Sequence, residues 1–409
     1  MLSIDADRLR RAFDTYSEIG ATEAGGLHRL TLSEEDERAR DRFRSDLEAL
    51  GLDVRVDELG NMFARREGTD PDAEPVLIGS HLDSQPYGGR YDGQLGVLVA
   101  LETLRAMEDA DVETRRPVEI VNWTNEEGAR FQHAMLGSAA WVGDTPVDEA
   151  LAITDRDGVS VEEALEETGY DGDEPCEPHG VHAHVELHIE QGPKLESLGK
   201  SVGVVEGVYS MAWMEATVHG EADHAGPTPM HQRTDALTAA TDAIDRVEAM
   251  PNDLSSDAVA TVGRVSVDPD AINVIPSRAE FTVDVRSYDD AVVEEAVDRV
   301  QFELQTACDR VGAEHEFEKL WHIPHTEFDE GVVSVLDETA SDLDIAHERM
   351  VSGAGHDAKY VSDVAPAAMV FVPSEDGKTH NEAEFTPWED VVAGTRVYAE
   401  ATRRLANES

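Results

Sequence analysis

Two periodicities of apolar and polar residues alternate along the chain. Short β-branched and aliphatic runs predict buried strands, and longer stretches with apolar residues three or four apart predict helices. Helices are expected over 5–19 and 33–50, the second opened by a serine cap and ended by a glycine. Two short strands, 53–58 and 62–66, follow, and strands then alternate with helices up to about residue 208. This order is typical of an α/β domain on a buried sheet.

The order of elements changes between residues 210 and 324. The pattern there predicts the βαββαβ order of a ferredoxin-like α+β sandwich. Its expected elements are 211–219, 234–249, 259–267, 280–287, 291–311 and 315–320. Strand-like runs return afterward, so this unit interrupts the first domain. We therefore expect one domain over 1–209 and 325–409 and an inserted domain over 210–324.

The chain is acidic along its whole length, with 87 Asp and Glu residues against 33 Lys and Arg and a formal charge of −54. Such a charge argues against binding to nucleic acid or to an anionic membrane surface. Because the acid is spread out and forms no tail, we expect a carboxylate-covered surface suited to high salt; the alternative is an ordinary acidic cytosolic enzyme. Residues 144–180 are expected to form an acidic loop with one short helix near 162–167.

Cysteine content and hydropathy indicate the compartment. Two cysteines, Cys176 and Cys308, give no disulfide framework, which favours a reducing cytoplasm. The first 13 residues contain no apolar core of a signal peptide, and no stretch approaches the ~20 apolar residues that span a bilayer. We expect a soluble, cytoplasmic protein.

Side chains that bind metals or transfer protons stand at five separated points. Four of the five come after the apolar runs 76–78, 118–121, 185–187 and 369–372. Ligands gather beyond the carboxyl ends of strands in such sheets, so we expect these side chains to meet. The fifth, Asp92, stands at the expected N-cap of a helix. The residues concerned are His81 and Asp83, Asp92, Glu126 and Glu127, His188, and His380.

These residue types suit a two-metal hydrolase. Two divalent cations ~3.5–4 Å apart, bridged by a carboxylate, lower the pKa of a bound water molecule and polarise a carbonyl group. Asp92 is the expected bridge. The expected ligands are His81 and His188 on one ion and Glu127 and His380 on the other. Imidazoles and carboxylates suit zinc, manganese, cobalt or nickel, so the metal stays open.

Two further carboxylates have expected roles beside the metals. Asp83 is expected to orient the imidazole of His81 from behind. Adjacent side chains of an extended backbone point in opposite directions, so one of Glu126 and Glu127 should ligate a metal while its neighbour acts as general base.

Six phrases, at 79–84, 89–93, 123–131, 186–192, 224–230 and 352–358, together resemble the amidase and carbamoylase branch of the M20 metallopeptidase-like family. That branch includes N-carbamoyl-L-amino acid hydrolases, β-ureidopropionases and allantoate amidohydrolases. The resemblance implies an M20-type catalytic domain, with a central mixed sheet and helices, and an inserted ferredoxin-like lid domain that serves as a homodimer interface. By position it implies the five metal ligands named above, with Glu126 as general base. A histidine at 188 favours the carbamoylase branch.

The resemblance also implies substrate-binding residues. Arg286 would bind a carboxylate bidentately, and Asn273 and Gln191 would hold amide groups. His224 would stabilise the developing oxyanion. A surface ion pair for Arg286 and a turn-forming role for Asn273 stay as alternatives. Gly355 and His356 are expected to line the pocket.

The leading hypothesis is a metal-dependent hydrolase that converts an N-carbamoyl amino acid or related ureido acid into the amino acid, carbon dioxide and ammonia. An allantoate amidohydrolase, a β-ureidopropionase or a simple N-acyl amino acid amidohydrolase would use the same metals. A metal-binding assembly protein without turnover is the alternative from another class. The presence of Glu126 argues against it, because a pure binding module has no use for an unliganded carboxylate beside the metals.

Overall fold

A computed structural model of the chain describes residues 2–408 and contains two compact units. Unit 1 holds the residues up to Gly207 and those from Glu327 onward, and unit 2 is Val208–Thr326. Each unit has its own sheet. Among residues 2–408, no helix combines the length and the apolar character that a bilayer crossing requires.

The strands are β1 (Val54–Val56), β2 (Met62–Arg66), β3 (Val76–His81), β4 (Val118–Trp123), β5 (Ala183–Ile189), β6 (Val202–Val208), β7 (Ser210–His219), β8 (Val259–Thr261), β9 (Val265–Asp268), β10 (Arg278–Ser287), β11 (Glu314–Ile323), β12 (Thr326–Glu327), β13 (His347–Ser352) and β14 (Ala367–Val372). The helices are α1 (Ala6–Ser17), α2 (Glu34–Glu48), α3 (Gln94–Asp109), α4 (Leu136–Val142), α5 (Val147–Ala152), α6 (Val161–Thr168), α7 (Lys194–Leu198), α8 (Ala236–Ala249), α9 (Pro251–Leu254), α10 (Asp290–Val311), α11 (Glu330–Asp342), α12 (Asp357–Val361) and α13 (Trp388–Leu405).

The larger sheet has nine strands in the order β1-β2-β4-β3-β5-β14-β6-β12, with β13 beside β6. Strands β4, β3, β5 and β14 are mutually parallel, whereas β2 and β6 join them antiparallel. Every residue of these four parallel strands is buried, which explains why most of them are apolar. The expected α/β domain with a mixed central sheet is confirmed, and the carboxyl ends of the four strands share one edge.

Unit 2 is the expected ferredoxin-like sandwich. Its antiparallel sheet has the order β11-β7-β10-β8, with β9 also paired to β10. The apolar side chains of β7 and β10 pack with those of α8 and α10 in one core. The single strand expected over 259–267 is wrong: β8 and β9 are separate, because each pairs with a different part of β10.

The acidic segment 144–180 holds more structure than expected. It contains two short helices, α5 and α6, where one was predicted. Helix α6 begins with a capping box, in which Ser160 and Glu163 each accept the other's main-chain N–H. Helix α5 has only six residues, too few for a helical period to show in the sequence.

Candidate metal centre

The parallel strands bring the candidate ligands to one edge of the large sheet. His81 is the last residue of β3, and His188 is the penultimate residue of β5. Glu126 and Glu127 follow β4 in a turn where Asn125 and Gly128 have positive φ. His380 lies in the loop after β14. These are the positions that the apolar runs predicted.

Asp92 reaches the site in a different way from the one expected. The N-cap of α3 is Gly93, so the prediction of Asp92 at this position is wrong. A side chain at Gly93 would lie 2.2 Å from the ring of His81, and the residue has a φ of +61°. The chain therefore turns sharply against the imidazole, and the Asp92 carboxylate faces the histidines instead of capping the helix.

Asp92 is shared by two groups of three residues. In the first group, Oδ1 of Asp92 lies 3.1 Å from Nε2 of His188 and 3.6 Å from Nε2 of His81. In the second, Oδ2 lies 3.5 Å from Nε2 of His380, which is 3.4 Å from Oε2 of Glu127. Within each group the donor atoms all lie within 4.8 Å of one another. One oxygen of the carboxylate thus serves each group.

These separations fit a cation in each group. Ligands ~2.1 Å from a tetrahedral ion stand about 3.4 Å from each other, close to the distances here. Nε2 of His81 is buried and has no hydrogen-bond partner among the described residues. The Nδ1 atoms of His81 and His188 each lie 3.0 Å from a main-chain carbonyl, of Asp83 and Ile189 respectively. Those carbonyls accept the Nδ1 proton, so the Nε2 lone pair of each ring faces the centre, where that of His188 accepts the N–H of Gly93 at 3.2 Å.

The electrostatics of the centre depend on the same contacts. Burial alone would raise the pKa of Asp92, but His188, His81 and His380 together lower it well below its usual value. Burial raises the pKa of Glu127, and the nearby Asp92 carboxylate raises it further. Carboxylates crowded and buried in this way need positive charge beside them, which divalent cations supply.

Glu126 stands beside the first group without completing it. Its Oε2 lies 3.4 Å from Nε2 of His81, and its side chain is buried. Burial raises its pKa well above the usual value, and the carboxylates of Asp357, Glu127 and Asp92 add to that effect against the opposing influence of His81. A carboxylate with a raised pKa is suited to accept and return a proton near neutral pH.

Asp83 acts on this site differently from the expected way. Its carboxylate lies 3.6 Å from Nδ1 of His81, beyond hydrogen-bond distance, and its main-chain carbonyl holds the ring instead. The Asp83 carboxylate accepts the main-chain N–H groups of Glu126 and Glu127, each at 3.3 Å. Gln85 donates from its main chain and its side chain to the carboxylate of Glu127. Asp83 and Gln85 therefore fix the turn that carries the two glutamates.

Comparisons with known proteins identify the family. Residues 77–404 match the model of peptidase family M20/M25/M40. The N-carbamoyl-L-amino-acid amidohydrolase of Rhizobium meliloti is 40% identical over 403 residues, 98% of this chain and 97% of that protein. The chain belongs to the M20 family. It is an amidohydrolase of that family, as the resemblance implied.

Two further relatives cover nearly the whole chain. The ureidoglycolate hydrolase of Arabidopsis thaliana is 34% identical over 417 residues, which cover 99% of this chain and 87% of that protein. A crystal structure of a hydantoinase/carbamoylase family amidase from Burkholderia multivorans has a TM-score of 0.94 and 42% identity, and covers 100% of this chain and 99% of that one. The fold is thus that of an M20 amidase.

Three other predicted site residues of this M20 chain lie in unit 1. Gln191, with a φ of +57°, donates from Nε2 to Oδ2 of Asp92 and to Oγ1 of Thr379, each at 2.9 Å. Oε1 of Gln191 is buried without a partner among the described residues. The ring centroid of His356 lies 4.5 Å from that of His188. Gly355 approaches Met135, whose methyl carbon would lie 2.9 Å from a Cβ there.

Unit 2 separates the other predicted substrate-binding residues. His224 and Asn273 are neighbours, because the N–H of Ala225 donates to the carbonyl of Asn273 at 2.9 Å. They lie beyond the Arg278 end of β10. Arg286 lies at the opposite end, eight residues along the strand, or about 26 Å. Unit 2 therefore brings His224 and Asn273 together and keeps Arg286 apart from them.

Arg286 forms an ion pair within its own strand. It donates from Nε to Oδ1 of Asp284 at 3.0 Å and from Nη2 to Oδ2 at 2.9 Å. Oδ2 of Asp284 also accepts Nε1–H of Trp213 at 2.9 Å. The ion pair that stood as the alternative role of Arg286 is therefore present, and its binding of a substrate carboxylate stays a prediction.

The sequence reading missed Gln85, Thr379 and Glu384. Glu384 is 4% exposed, and its Oε1 accepts the main-chain N–H groups of Tyr91 and Asp92 at 2.9 and 3.1 Å. Burial raises its pKa to about 8, with a further contribution from Asp92. A glutamate in a loop that already contains Glu382 resembles an ordinary solvated acid, so no local signal marked it.

Proposed function

We propose that this chain is an N-carbamoyl-L-amino-acid amidohydrolase with two divalent cations per subunit, zinc or else manganese, cobalt or nickel. One water molecule and the carbamoyl group would give the free amino acid, carbon dioxide and ammonia. The observation that carries the proposal is the Asp92 carboxylate, which faces one pair of imidazoles with Oδ1 and the Glu127–His380 pair with Oδ2. His188 in the first group supports the carbamoylase branch.

The proposed ligands are His81, His188, Asp92, Glu127 and His380. Cations held there would lower the pKa of a water molecule and polarise the ureido carbonyl. Glu126 would take the proton of that water and give it to the departing nitrogen. Its position 3.4 Å from Nε2 of His81 supports this role, because the carboxylate is at the centre yet outside both groups of ligands.

The remaining site residues would bind the substrate. The buried Oε1 of Gln191 is the acceptor for an N–H of the terminal carbamoyl group, since its Nε2 is already bonded. Arg286 would bind the amino acid carboxylate. His224 would stabilise the oxyanion and Asn273 would bind an amide group. Gly355 and His356 would line the pocket. Asp83 would hold Glu126 in place, because the Asp83 carboxylate accepts the main-chain N–H of Glu126.

We further propose a homodimer formed through unit 2. A carbamoyl amino acid is about two residues long, or ~7 Å, far less than the ~26 Å of β10 that lies between Arg286 and the Arg278 end, beyond which the His224–Asn273 pair stands. One substrate molecule therefore cannot contact both ends of β10 of the same chain. A second copy solves this, because each substrate then meets Arg286 of one chain and the His224–Asn273 pair of the other.

We also propose that the protein works in a reducing cytoplasm of high salt. Both cysteines are free and buried, which supports a reducing cytoplasm. The excess of 87 acidic over 33 basic residues supports a cytoplasm of high salt.

Ammonia release from a panel of substrates tests the function. Metal-free protein is loaded with each candidate metal and given N-carbamoyl amino acids, β-ureidopropionate, allantoate, ureidoglycolate and N-acetyl amino acids. The proposal expects the highest kcat/KM on an N-carbamoyl-L-amino acid, and the D-isomer is the matched control. Higher values on ureidoglycolate or allantoate would assign the chain to those activities. Absence of turnover on the whole panel would favour a non-catalytic metal-binding protein.

A further inference from the structure

A buried glutamate outside both ligand groups holds the main chain of the bridging residue. Oε1 of Glu384 alone accepts two adjacent N–H groups, from Tyr91 at 2.9 Å and from Asp92 at 3.1 Å. A buried main-chain N–H left without an acceptor costs stability, so these two hydrogen bonds hold the chain at Tyr91 and Asp92 in place. The position of the Asp92 main chain therefore depends on Glu384.

The surroundings of Glu384 are shaped to admit its carboxylate. A Cβ at Gly89 would lie 1.9 Å from Oε1 and 2.0 Å from Cδ of Glu384. Any side chain at this glycine would displace the carboxylate from the Tyr91 and Asp92 N–H groups. Burial of the Glu384 carboxyl group next to Asp92 costs stability unless hydrogen bonds compensate for it. A buried glutamate at this position is therefore expected to have a function.

Glu384 also connects two ligands. It lies four residues after His380 in the same loop, and His380 is a half-exposed residue with a φ of +50° outside any strand. By contrast, His81 and His188 lie in β3 and β5, and main-chain carbonyls hold their rings. The first group therefore has its own supports. The second group depends on how the His380 loop is joined to Asp92.

We propose that Glu384 is a positioning residue of the metal centre, which holds the main chain of Asp92 against the His380 loop. Two residues of the Asp92–Glu127–His380 group, Asp92 and His380, then depend on Glu384, whereas in the His81–Asp92–His188 group only Asp92 does. This inference rests on the proposed two-cation centre. It goes beyond that proposal by assigning a different sensitivity to each cation.

Two substitutions at Glu384 separate the reach of the side chain from its acidity. In Glu384→Gln the amide oxygen replaces Oε1 and accepts both N–H groups, although the side chain can no longer ionise. In Glu384→Asp the carboxyl group remains, but the side chain is one methylene shorter and withdraws from the N–H groups. Gly89→Ala displaces the carboxylate without a change at Glu384. Gly263→Ala is the matched control, because the nearest atom to a Cβ there is 4.0 Å away.

Zinc and manganese titrations of metal-free protein, followed by calorimetry and by metal analysis after desalting, test the proposal. Wild type, E384Q and G263A should bind two equivalents. E384D and G89A should bind the second equivalent at least tenfold more weakly, with a smaller effect on the first. Circular dichroism of each metal-free variant verifies that it is folded.

Two outcomes would overturn the positioning role. One is wild-type binding of both equivalents by E384D and G89A; the other is a loss in E384Q as large as that in E384D. Should G89A not fold, the comparison of E384Q with E384D still decides between them. If wild type itself binds fewer than two equivalents, the proposed two-cation centre is wrong, whatever the variants do.

Discussion

Glu126 and Glu127 are adjacent in sequence, but their carboxylates lie beside different histidines. Oε2 of Glu126 is 3.4 Å from Nε2 of His81, whereas Oε2 of Glu127 is 3.4 Å from Nε2 of His380. Gln85 holds both oxygens of Glu127, and the Asp83 carboxylate fixes the turn between the two residues. Neighbouring glutamates are thereby held beside different histidines, which suits the proposed roles of Glu127 as a ligand and Glu126 as a proton carrier.

Substitution of each glutamate by glutamine should have a different effect. Glu126→Gln should keep the metal content of the wild type and lower kcat by ~10²-fold or more, because the amide cannot accept the proton. Glu127→Gln should lose metal as well as activity. Metal analysis after desalting, together with ammonia release, checks both results. Near-normal turnover by Glu126→Gln would exclude it as the base.

Removal of Arg286 should affect only substrates with a carboxylate. Arg286→Ala should lower kcat/KM by ~10²-fold for N-carbamoyl amino acids, the scale of a lost charge-assisted contact, and leave their carboxamide analogues unaffected. Arg278→Ala is the matched control, since Arg278 lies at the other end of the same strand. Equal kinetics of Arg286→Ala and wild type on the carboxylate substrates would remove Arg286 from the site.

Mixed dimers test whether one substrate uses residues of two chains. Arg286→Ala and His224→Ala chains should each be nearly inactive alone. After unfolding and refolding together in equal amounts, about a quarter of the wild-type activity should return, because half the dimers are mixed and each has one intact site. A mixture of Glu126→Gln and Arg286→Ala chains is the control. Activity should return in it only if Arg286 of one chain acts at the metal centre of the other chain. No recovery in the first mixture would place Arg286 and His224 in separate roles.

His184 should make stability depend on pH. Burial lowers its pKa from 6.5 to about 4, with a small opposing effect from the carbonyl of Leu77. Between pH 6.5 and about 4, His184 binds a proton in the unfolded chain but not in the folded one. The free energy of unfolding therefore falls as pH falls, by about 3 kcal/mol in all.

Urea unfolding at pH 7, 6, 5 and 4 in constant high salt measures this effect. His184→Asn should remove that part of the slope between pH 6.5 and 4, whatever its stability at pH 7. His219→Asn, at a partly exposed histidine, controls for the loss of one imidazole. Parallel slopes in wild type and His184→Asn would contradict the prediction.

Residues placed by regular strands were predictable from the sequence. Apolar runs marked β3, β4 and β5, and the carboxyl ends of parallel strands share one edge, so His81, the Glu126–Glu127 pair and His188 were expected together. Asp92 was also expected at the site, although its predicted N-cap position was wrong. The close approach of Gly93 to the ring of His81, a tertiary contact, decided that turn.

Residues placed by tertiary contacts were not predictable. The separation of Arg286 from His224 follows from the register of β10 against β7, which pairs Arg286 with Met211 and Arg278 with His219. The motif residues alone do not reveal how the two strands are paired. Glu384 was missed for a similar reason, because its role depends on space left by Gly89, almost 300 positions earlier in the chain.

The charge of the chain predicts that its folding depends on salt. With 87 acidic and 33 basic residues, more than half of the carboxylates have no basic partner even if every basic residue is paired. At 0.01 M salt the Debye length is about 30 Å, similar to the size of one unit, so the repulsion sums over most of a surface. At 1 M it is about 3 Å, and only adjacent carboxylates still interact.

Ellipticity, dimer content and activity should therefore all rise as potassium chloride increases from 0.01 M into the molar range. Choline chloride of equal ionic strength is the control: the same curve indicates screening, and a different one indicates specific binding of potassium. On dilution of the salt, ellipticity and bound metal should be lost together and not metal first, because His81, His188 and Asp92 are buried while the repelling carboxylates are exposed. Full folding and maximal activity at low salt would mean that the acidic surface serves a purpose other than stability in high salt.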